Sequence, residues 1–138
     1  MERHIARKKV KDVMTKEVVT VKPETDIKQL KEMFEKYDFN SFPVLDGQKL
    51  VGMVSKLDLL KAFSLGMNVS VGRFLMLYSK TAAEIMHTAH IFISPDDDLS
   101  TAADFMVEFN LRSIPVVERG SLKGMVSRQD VIRHLMVE

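Results

Sequence analysis

The sequence predicts an α/β protein made of two pseudo-symmetric copies of one unit, packed as one module with a central cleft. Three observations carry this expectation. Leu50-Val51-Gly52-Met53-Val54-Ser55-Lys56-Leu57-Asp58 returns as Leu122-Lys123-Gly124-Met125-Val126-Ser127-Arg128-Gln129-Asp130, 72 residues further on. The same displacement pairs Pro23 with Pro95, Asp26 with Asp98, Ser41 with Ser113 and Pro43-Val44 with Pro115-Val116, and it runs ungapped from about Val13 to Phe63. Within each copy, helical and strand periodicities alternate. An open solenoid needs about three repeats or more, so two copies point to a closed pair about a pseudo-twofold axis. Each copy has roughly 50 to 60 residues, marginal for a private core, so the copies are expected to fold together.

Each copy reads as a short helix, strand, helix, strand, strand and helix. In the first, Val18 to Val21 is a β-branched strand ending at Lys22-Pro23. Thr25 is placed to cap a helix whose apolar stripe is Ile27, Leu30, Phe34 and Tyr37. Ser41 to Leu45 and Lys49 to Ser55 are strands joined through Asp46-Gly47, a hairpin signal, and Lys56 to about Phe63 is the closing helix. In the second copy, His90 to Ile93 is the strand and Asp97 the expected cap. The helical stripe there is Leu99, Ala102, Ala103, Met106 and Phe109. Ser113 to Val117 and Leu122 to Ser127 flank Arg119-Gly120, and the last helix runs from Arg128 to about Met136. Thr81-Ala82-Ala83-Glu84 has capping-box spacing and opens this copy. The organisation is thus a basic segment over 1–9, repeats over 10–64 and 81–138, and a helical linker over 65–80. Ser70 to Tyr78 is apolar on nearly every side, as in a helix covered by protein or by a second chain.

Bulk properties narrow the function classes. A net charge of +1 argues against a dedicated nucleic-acid or membrane surface. Arg3, His4, Arg7, Lys8, Lys9 and Lys11 are read as a solvated terminal segment rather than a nucleic-acid arm. The absence of cysteine excludes disulfides, thiolate metal sites and a cysteine nucleophile. No apolar run reaches the ~18 residues of a membrane span, and no signal core is seen, so a cytoplasmic protein is expected. His87 and His90, near Asp96 to Asp98, are read as a solvated turn and not a metal site. The matched methionines Met14/Met86 and Met53/Met125 are read as core packing. No paired acid and base or nucleophile arrangement stands out, so no catalytic residues and no enzyme are expected.

The strand-to-helix turn is the informative place. Gly52 and Gly124 remove a side chain just before it, so another backbone or a ligand can approach closely. Ser55 and Ser127 sit where the helix begins, beside free N–H groups suited to an anion. Asp58 and Asp130, three residues on, offer a carboxylate able to accept from two ribose hydroxyls. The same Ser-x-x-Asp spacing is close to a capping box, in which the pair only satisfies backbone donors. Spacing leaves both readings open.

Gly-Met-Val-Ser-Lys-Leu-Asp and Gly-Met-Val-Ser-Arg-Gln-Asp resemble the Gly-h-x-Ser/Thr-x-x-Asp signature of cystathionine β-synthase (CBS) domains. Ser-Phe-Pro-Val, Ser-Ile-Pro-Val, the Val-Met openings and the 72-residue spacing are also similar to that family, from Val10 onward. The resemblance implies a Bateman module, two βαββα CBS repeats about a pseudo-dyad, with two clefts that bind adenosine compounds in many members. It implies that Asp58 and Asp130 hold ribose hydroxyls and that Ser55 and Ser127 meet phosphate or ribose. It gives Thr20-Val21-Lys22 and Phe92-Ile93-Ser94 to the adenine edge, and Phe39-Asn40-Ser41 and Leu111-Arg112-Ser113 to the base and phosphate region. Pro43, Pro115, Gly52, Gly124, Lys56 and Arg128 complete the implied ligand-binding set. Family sites imply a pairing of Thr20 and Ser41 with Ser127 and Asp130, and of Ile93 and Ser113 with Ser55 and Asp58. Arg112 and Arg128 stand where the first copy has Asn40 and Lys56, and Arg133 and His134 follow, so phosphate recognition is expected to favour one cleft.

The resulting expectation is a stand-alone regulatory CBS pair. It would sense an adenine nucleotide (AMP, ADP or ATP), S-adenosylmethionine or an NAD-like compound, and act as a homodimer on a regulated partner protein. The alternative is a structural or partner-docking module that binds no nucleotide.

Overall fold

The computed structural model describes residues 7–64, 78 and 80–135. The chain divides into two compact units that do not follow sequence order: Val19–Ala89 forms one, and Met1–Val18 joins His90–Glu138 in the other.

In the unit Val19–Ala89, the expected strand Val18 to Val21 shortens to a single residue. Only Val21 pairs, in parallel with Val44, through Val21 N–H to Pro43 O and Leu45 N–H to Val21 O, both 2.9 Å. The chain then turns at once: Lys22 N–H donates to Thr25 Oγ1 at 3.0 Å, and Thr25 N–H to Lys22 O at 3.1 Å. Thr25 therefore closes a turn and does not cap the helix. Asp26 is the cap of α2, Ile27–Lys36, accepting from Gln29 N–H at 2.8 Å while Gln29 Oε1 accepts from Asp26 N–H at 3.0 Å. The stripe buries Ile27 and Leu30, with Met33 and Phe34 packed on the same core. Each fully buried aliphatic side chain contributes roughly 1.5–3 kcal/mol.

Strands β1, Ser41–Asp46, and β2, Lys49–Ser55, form the hairpin with Ser41 opposite Ser55 and Asp46 opposite Lys49. The two-residue loop is Gly47-Gln48, one residue later than the sequence suggested, and Gly47 has φ +66°. Glycine at the first central position is the type II′ preference. Helix α3, Lys56–Ser64, follows directly, and α4, Ala82–Ile85, completes the unit. Glu84 Oε1 accepts from Thr81 N–H at 3.2 Å at the opening of α4. Beyond α4, His87 and Met53 exchange two backbone bonds of 2.9 and 3.0 Å in an antiparallel bridge. The core is Val21, Leu30, Phe42, Val44, Val54 and Ala82.

The other unit repeats the backbone docking and bridge bonds at matched positions. Helix α1, Val10–Val13, docks through Val10 N–H to Asp97 O (2.8 Å) and Lys11 N–H to Pro95 O (2.9 Å). Its counterparts in α4 are Ala82 N–H to Thr25 O (2.7 Å) and Ala83 N–H to Pro23 O (2.9 Å). Each opening helix thus joins the unit that contains the other copy's strands. Thr15 bridges Met125 as His87 bridges Met53. Of the expected strand His90 to Ile93, Ile93 alone pairs, in parallel with Val116.

Helix α5, Leu99–Phe109, begins after Asp98, whose side chain makes no cap hydrogen bond, and Asp97 Oδ2 accepts from Ser94 N–H at 2.8 Å and caps no helix either. Leu99, Ala102 and Met106 are buried, but Phe109 is exposed and contacts Phe105 edge-on, so the stripe ends one turn early. Asn110 ends the helix in the left-handed region, φ +53°. Strands β3, Ser113–Glu118, and β4, Ser121–Ser127, meet around Arg119-Gly120, both with positive φ (+54° and +80°), the type I′ pattern. Helix α6, Arg128–Ile132, is shorter than the expected run to Met136, because the chain turns at Arg133-His134. The apolar stretch expected from Leu65 to Tyr78 lies, Tyr78 apart, outside the described residues.

Candidate functional site

Both Ser-x-x-Asp turns sit at a strand-to-helix junction, β2 to α3 and β4 to α6. In the second, Ser127 Oγ accepts from Asp130 N–H at 3.1 Å and Asp130 Oδ2 from Ser127 N–H at 2.8 Å, a complete capping box. In the first, Ser55 Oγ accepts from Asp58 N–H at 3.1 Å and Asp58 Oδ2 from Ser55 N–H at 2.8 Å. Capping is therefore real in both copies. It places one backbone N–H on Oδ2 of each carboxylate and leaves Oδ1 without a hydrogen bond among the described residues. The Asp58 and Asp130 side chains are largely buried, 13% and 11% exposed.

The surroundings of the two carboxylates differ. Asp58 Oδ2 also accepts from Ser55 Oγ at 2.9 Å and from His87 Nδ1 at 2.8 Å. A carboxylate only accepts, so Nδ1 carries the hydrogen in this pair. Asp130 Oδ1 instead faces Arg133 Nη1 at 3.9 Å, an ion-pair distance rather than a hydrogen bond. His87 entered the sequence reading only as a metal candidate. Its signal was present, since the 72-residue displacement sets His87 against Thr15, a break in the repeat. Among the described residues no group of three or more His, Asp or Glu stands close enough to hold a metal ion.

The glycines admit backbone. A Cβ on Gly124 would stand 2.7 Å from Thr15 O and 2.8 Å from Met14 Sδ. On Gly52 it would stand 2.5 Å from Met86 Sδ and 2.9 Å from His87 O. The space beside each glycine is filled by the Val-Met or Ile-Met segment that bridges the strand.

Each unit holds half of the predicted set. Ser41 lies opposite Ser55 in register, and Asn40 O accepts from Lys56 N–H at 3.0 Å. Ser113 lies opposite Ser127, and Arg112 O accepts from Arg128 N–H at 3.0 Å. Pro43 and Pro115 are buried and hold Val21 and Ile93 through their carbonyls. Thr20 and Ser94 are half-buried, whereas Lys22, Asn40 and Arg112 are exposed. Phe39 and Phe92 are about half exposed, and Phe39 stacks on Tyr37 with centroids 5.6 Å apart. Arg128 is partly committed: Nε donates to Leu111 O at 2.7 Å and Nη2 to Asn110 Oδ1 at 3.2 Å, which ties down the last turn of α5.

Two of the terminal basic residues are also engaged. Lys9 pairs with Asp98 at 2.9 Å and Lys11 with Asp96 at 3.0 Å. The hydrogen bonds to Asp98 and Asp96 raise both amines above the ordinary 10.5. Among the described residues no helix is long and apolar enough to cross a membrane.

Twin βαββα-like units with matched Ser-x-x-Asp turns define an α/β tandem-repeat protein. The CBS domain family matches residues 10–65 and again 82–137, so the chain belongs to the CBS domain family and carries the domain twice. A solved structure of CBSX2 in complex with AMP superposes with a TM-score of 0.77 at 28% identity, covering 91% of this chain and 93% of that one. The CBS domain pair of protein MJ0100, in complex with 5′-methylthioadenosine and S-adenosyl-L-methionine, gives a TM-score of 0.74 at 26% identity, covering 93% and 95%. An A-adding tRNA nucleotidyltransferase of Geobacter sulfurreducens is 29% identical over 125 residues, 90% of this chain. The chain spans only 13% of that enzyme's length.

Proposed function

We propose that this CBS pair is a regulatory, non-catalytic sensor of an adenosine-containing ligand, AMP, ADP or ATP, with S-adenosylmethionine or an NAD-like compound as further candidates. The observation that carries the reading is that Asp58 and Asp130 cap their helices through Oδ2 alone and keep Oδ1 free of hydrogen bonds among the described residues. Each has an oxygen left to accept from a ribose hydroxyl, with a helix N-terminus and a serine beside it for phosphate. The adenosine ligands in CBSX2 and protein MJ0100 support the same class. Thr20, Val21, Lys22, Phe92, Ile93 and Ser94 are assigned to the base; Asn40, Ser41, Arg112 and Ser113 to base and phosphate. Binding acts by shifting a conformational or oligomeric equilibrium, by no more than the ligand's differential affinity for the two states. The setting is the cytoplasm, and the reader of the change is a partner protein. The exposed apolar residues Leu57 and Leu60 of α3, with Ile132 of α6, support a homodimer.

A second reading has its own observation. The completed capping box at Ser127 and Asp130 is all that a docking module without nucleotide would need. Thermal unfolding with AMP, 2′-deoxy-AMP, ATP, S-adenosylmethionine and GMP separates the two. A sensor gains about 2.7 kcal/mol at a ligand concentration 100-fold above Kd. The gain should shrink for the deoxy compound and for Asp130→Asn. No shift with any adenosine compound, together with a loss of about 0.5–2 kcal/mol in Asp58→Asn and Asp130→Asn, leaves only caps.

A further inference from the structure

We infer that His87 is an internal competitor for the Asp58 carboxylate, so that the two Ser-x-x-Asp turns load unequally and the Asp130 turn fills first. The inference rests on the ribose reading above and concerns how that site is regulated.

The two carboxylates carry different numbers of donors. Asp58 Oδ2 already takes Ser55 N–H (2.8 Å), Ser55 Oγ–H (2.9 Å) and His87 Nδ1–H (2.8 Å). An ionised carboxylate offers about four lone-pair sites over its two oxygens, so this oxygen is saturated. Asp130 Oδ2 takes one donor, Ser127 N–H at 2.8 Å. Access does not explain the difference, since the two side chains are equally exposed, 13% and 11%. A vicinal ribose diol that grips both carboxylate oxygens finds Oδ2 open at Asp130 and closed at Asp58. The closure is reversible, because the His87 side chain is 53% exposed and can swing into water without leaving a buried group unpaired.

The repeat makes this specific to one position. His87 and Thr15 hold equivalent places, each bridging the glycine strand through its backbone, to Met53 and to Met125. Thr15 is not among the described partners of Asp130, which are Ser127 and Arg133. The backbone pairing at residue 87 therefore needs no histidine. Among the described residues the imidazole adds only the bond to Asp58.

The test titrates the full chain with AMP in an Asp130→Asn background, with and without His87→Thr. Replacing His87 should tighten AMP binding about three- to tenfold, the equilibrium equivalent of the net contribution of one hydrogen bond. Long-range 1H–15N spectra of the unsubstituted protein give a second readout that needs no variant to fold. His87 should show a protonated Nδ1 in the free protein and lose that signature only at AMP concentrations above those that fill the first site. An AMP affinity unchanged within twofold by His87→Thr, or a His87 signature that persists at saturation, overturns the competitor while leaving the ribose reading intact. If the unsubstituted protein fails to bind AMP at all, the ribose reading itself falls and the competitor with it.

Discussion

Gly124→Ala tests whether these glycines serve the chain's own backbone. The added Cβ would lie 2.7 Å from Thr15 O, 2.8 Å from Met14 Sδ and 3.0 Å from Met14 Cγ. Methionine can repack, but the Thr15 carbonyl is held: Thr15 N–H donates to Met125 O at 2.8 Å and Met125 N–H to Thr15 O at 3.0 Å. Relieving the overlap means opening this pair of bonds or bending β4, and overpacking of this kind costs about 1–3 kcal/mol. A central value of about 2 kcal/mol corresponds to a melting point lower by about 7 °C for a chain of this size. Gly52→Ala should cost less. Its tightest contact, 2.5 Å, is with the mobile Met86 Sδ, and the backbone oxygen His87 O lies further away at 2.9 Å. Urea unfolding of both variants, followed by circular dichroism, measures the difference. Gly124→Ala within about 0.5 kcal/mol of the parent protein would refute the claim that Thr15 fills the space beside Gly124.

Two further outcomes follow from other parts of the molecule. Arg119 sits at φ +54° in a two-residue loop, and a side chain there strains the backbone. Arg119→Asn should therefore raise stability by about 0.5 kcal/mol in the same unfolding assay, since asparagine tolerates the left-handed region, and a loss would contradict the turn assignment. Leu60→Glu places a charge on an exposed apolar side chain of α3 (65% exposed), so it should leave the monomer folded and weaken a homodimer formed there. Sedimentation velocity at micromolar concentration reads this directly, and an unsubstituted protein that runs as a monomer removes the dimer from the proposal.

Local pattern made much of the fold legible. The hairpins, their Gly-containing turns and the helical stripes follow from spacing, because each is decided by residues near one another in sequence. The caps show where such reading slips. Thr25 and Asp97 have the right chemistry, yet both close turns; Asp26 caps α2, and Asp98, at the matching position before α5, makes no side-chain cap bond. Asp26-x-x-Gln29 was the better signal, since only that pair satisfies two backbone donors at once. Val18 to Val21 has strand composition, but a turn held by Thr25 begins at Lys22 and leaves one residue free to pair. What spacing could not supply was partnership. The repeat equates α1 with α4 but does not say which copy's turn each helix joins, because that is decided by backbone bonds about 85 residues apart in the chain, such as Val10 to Asp97.

The exchange of opening helices bears on how two equal scaffolds come to differ. Each unit closes its glycine strand with a segment drawn from the other copy, so residue 87 and not residue 15 stands beside Asp58. A substitution in one opening segment therefore changes the carboxylate of one turn and leaves the backbone pairing, the capping box and the core untouched. His87 is such a change and donates to Asp58 at 2.8 Å; Arg133, just past α6, stands 3.9 Å from Asp130. Because cap and core are satisfied by the backbone and by Oδ2, neither residue is needed for folding. Their electrostatic difference is free to set which turn a ribose meets first, which is why the affinities of the two turns should respond separately to substitutions at 87 and 133.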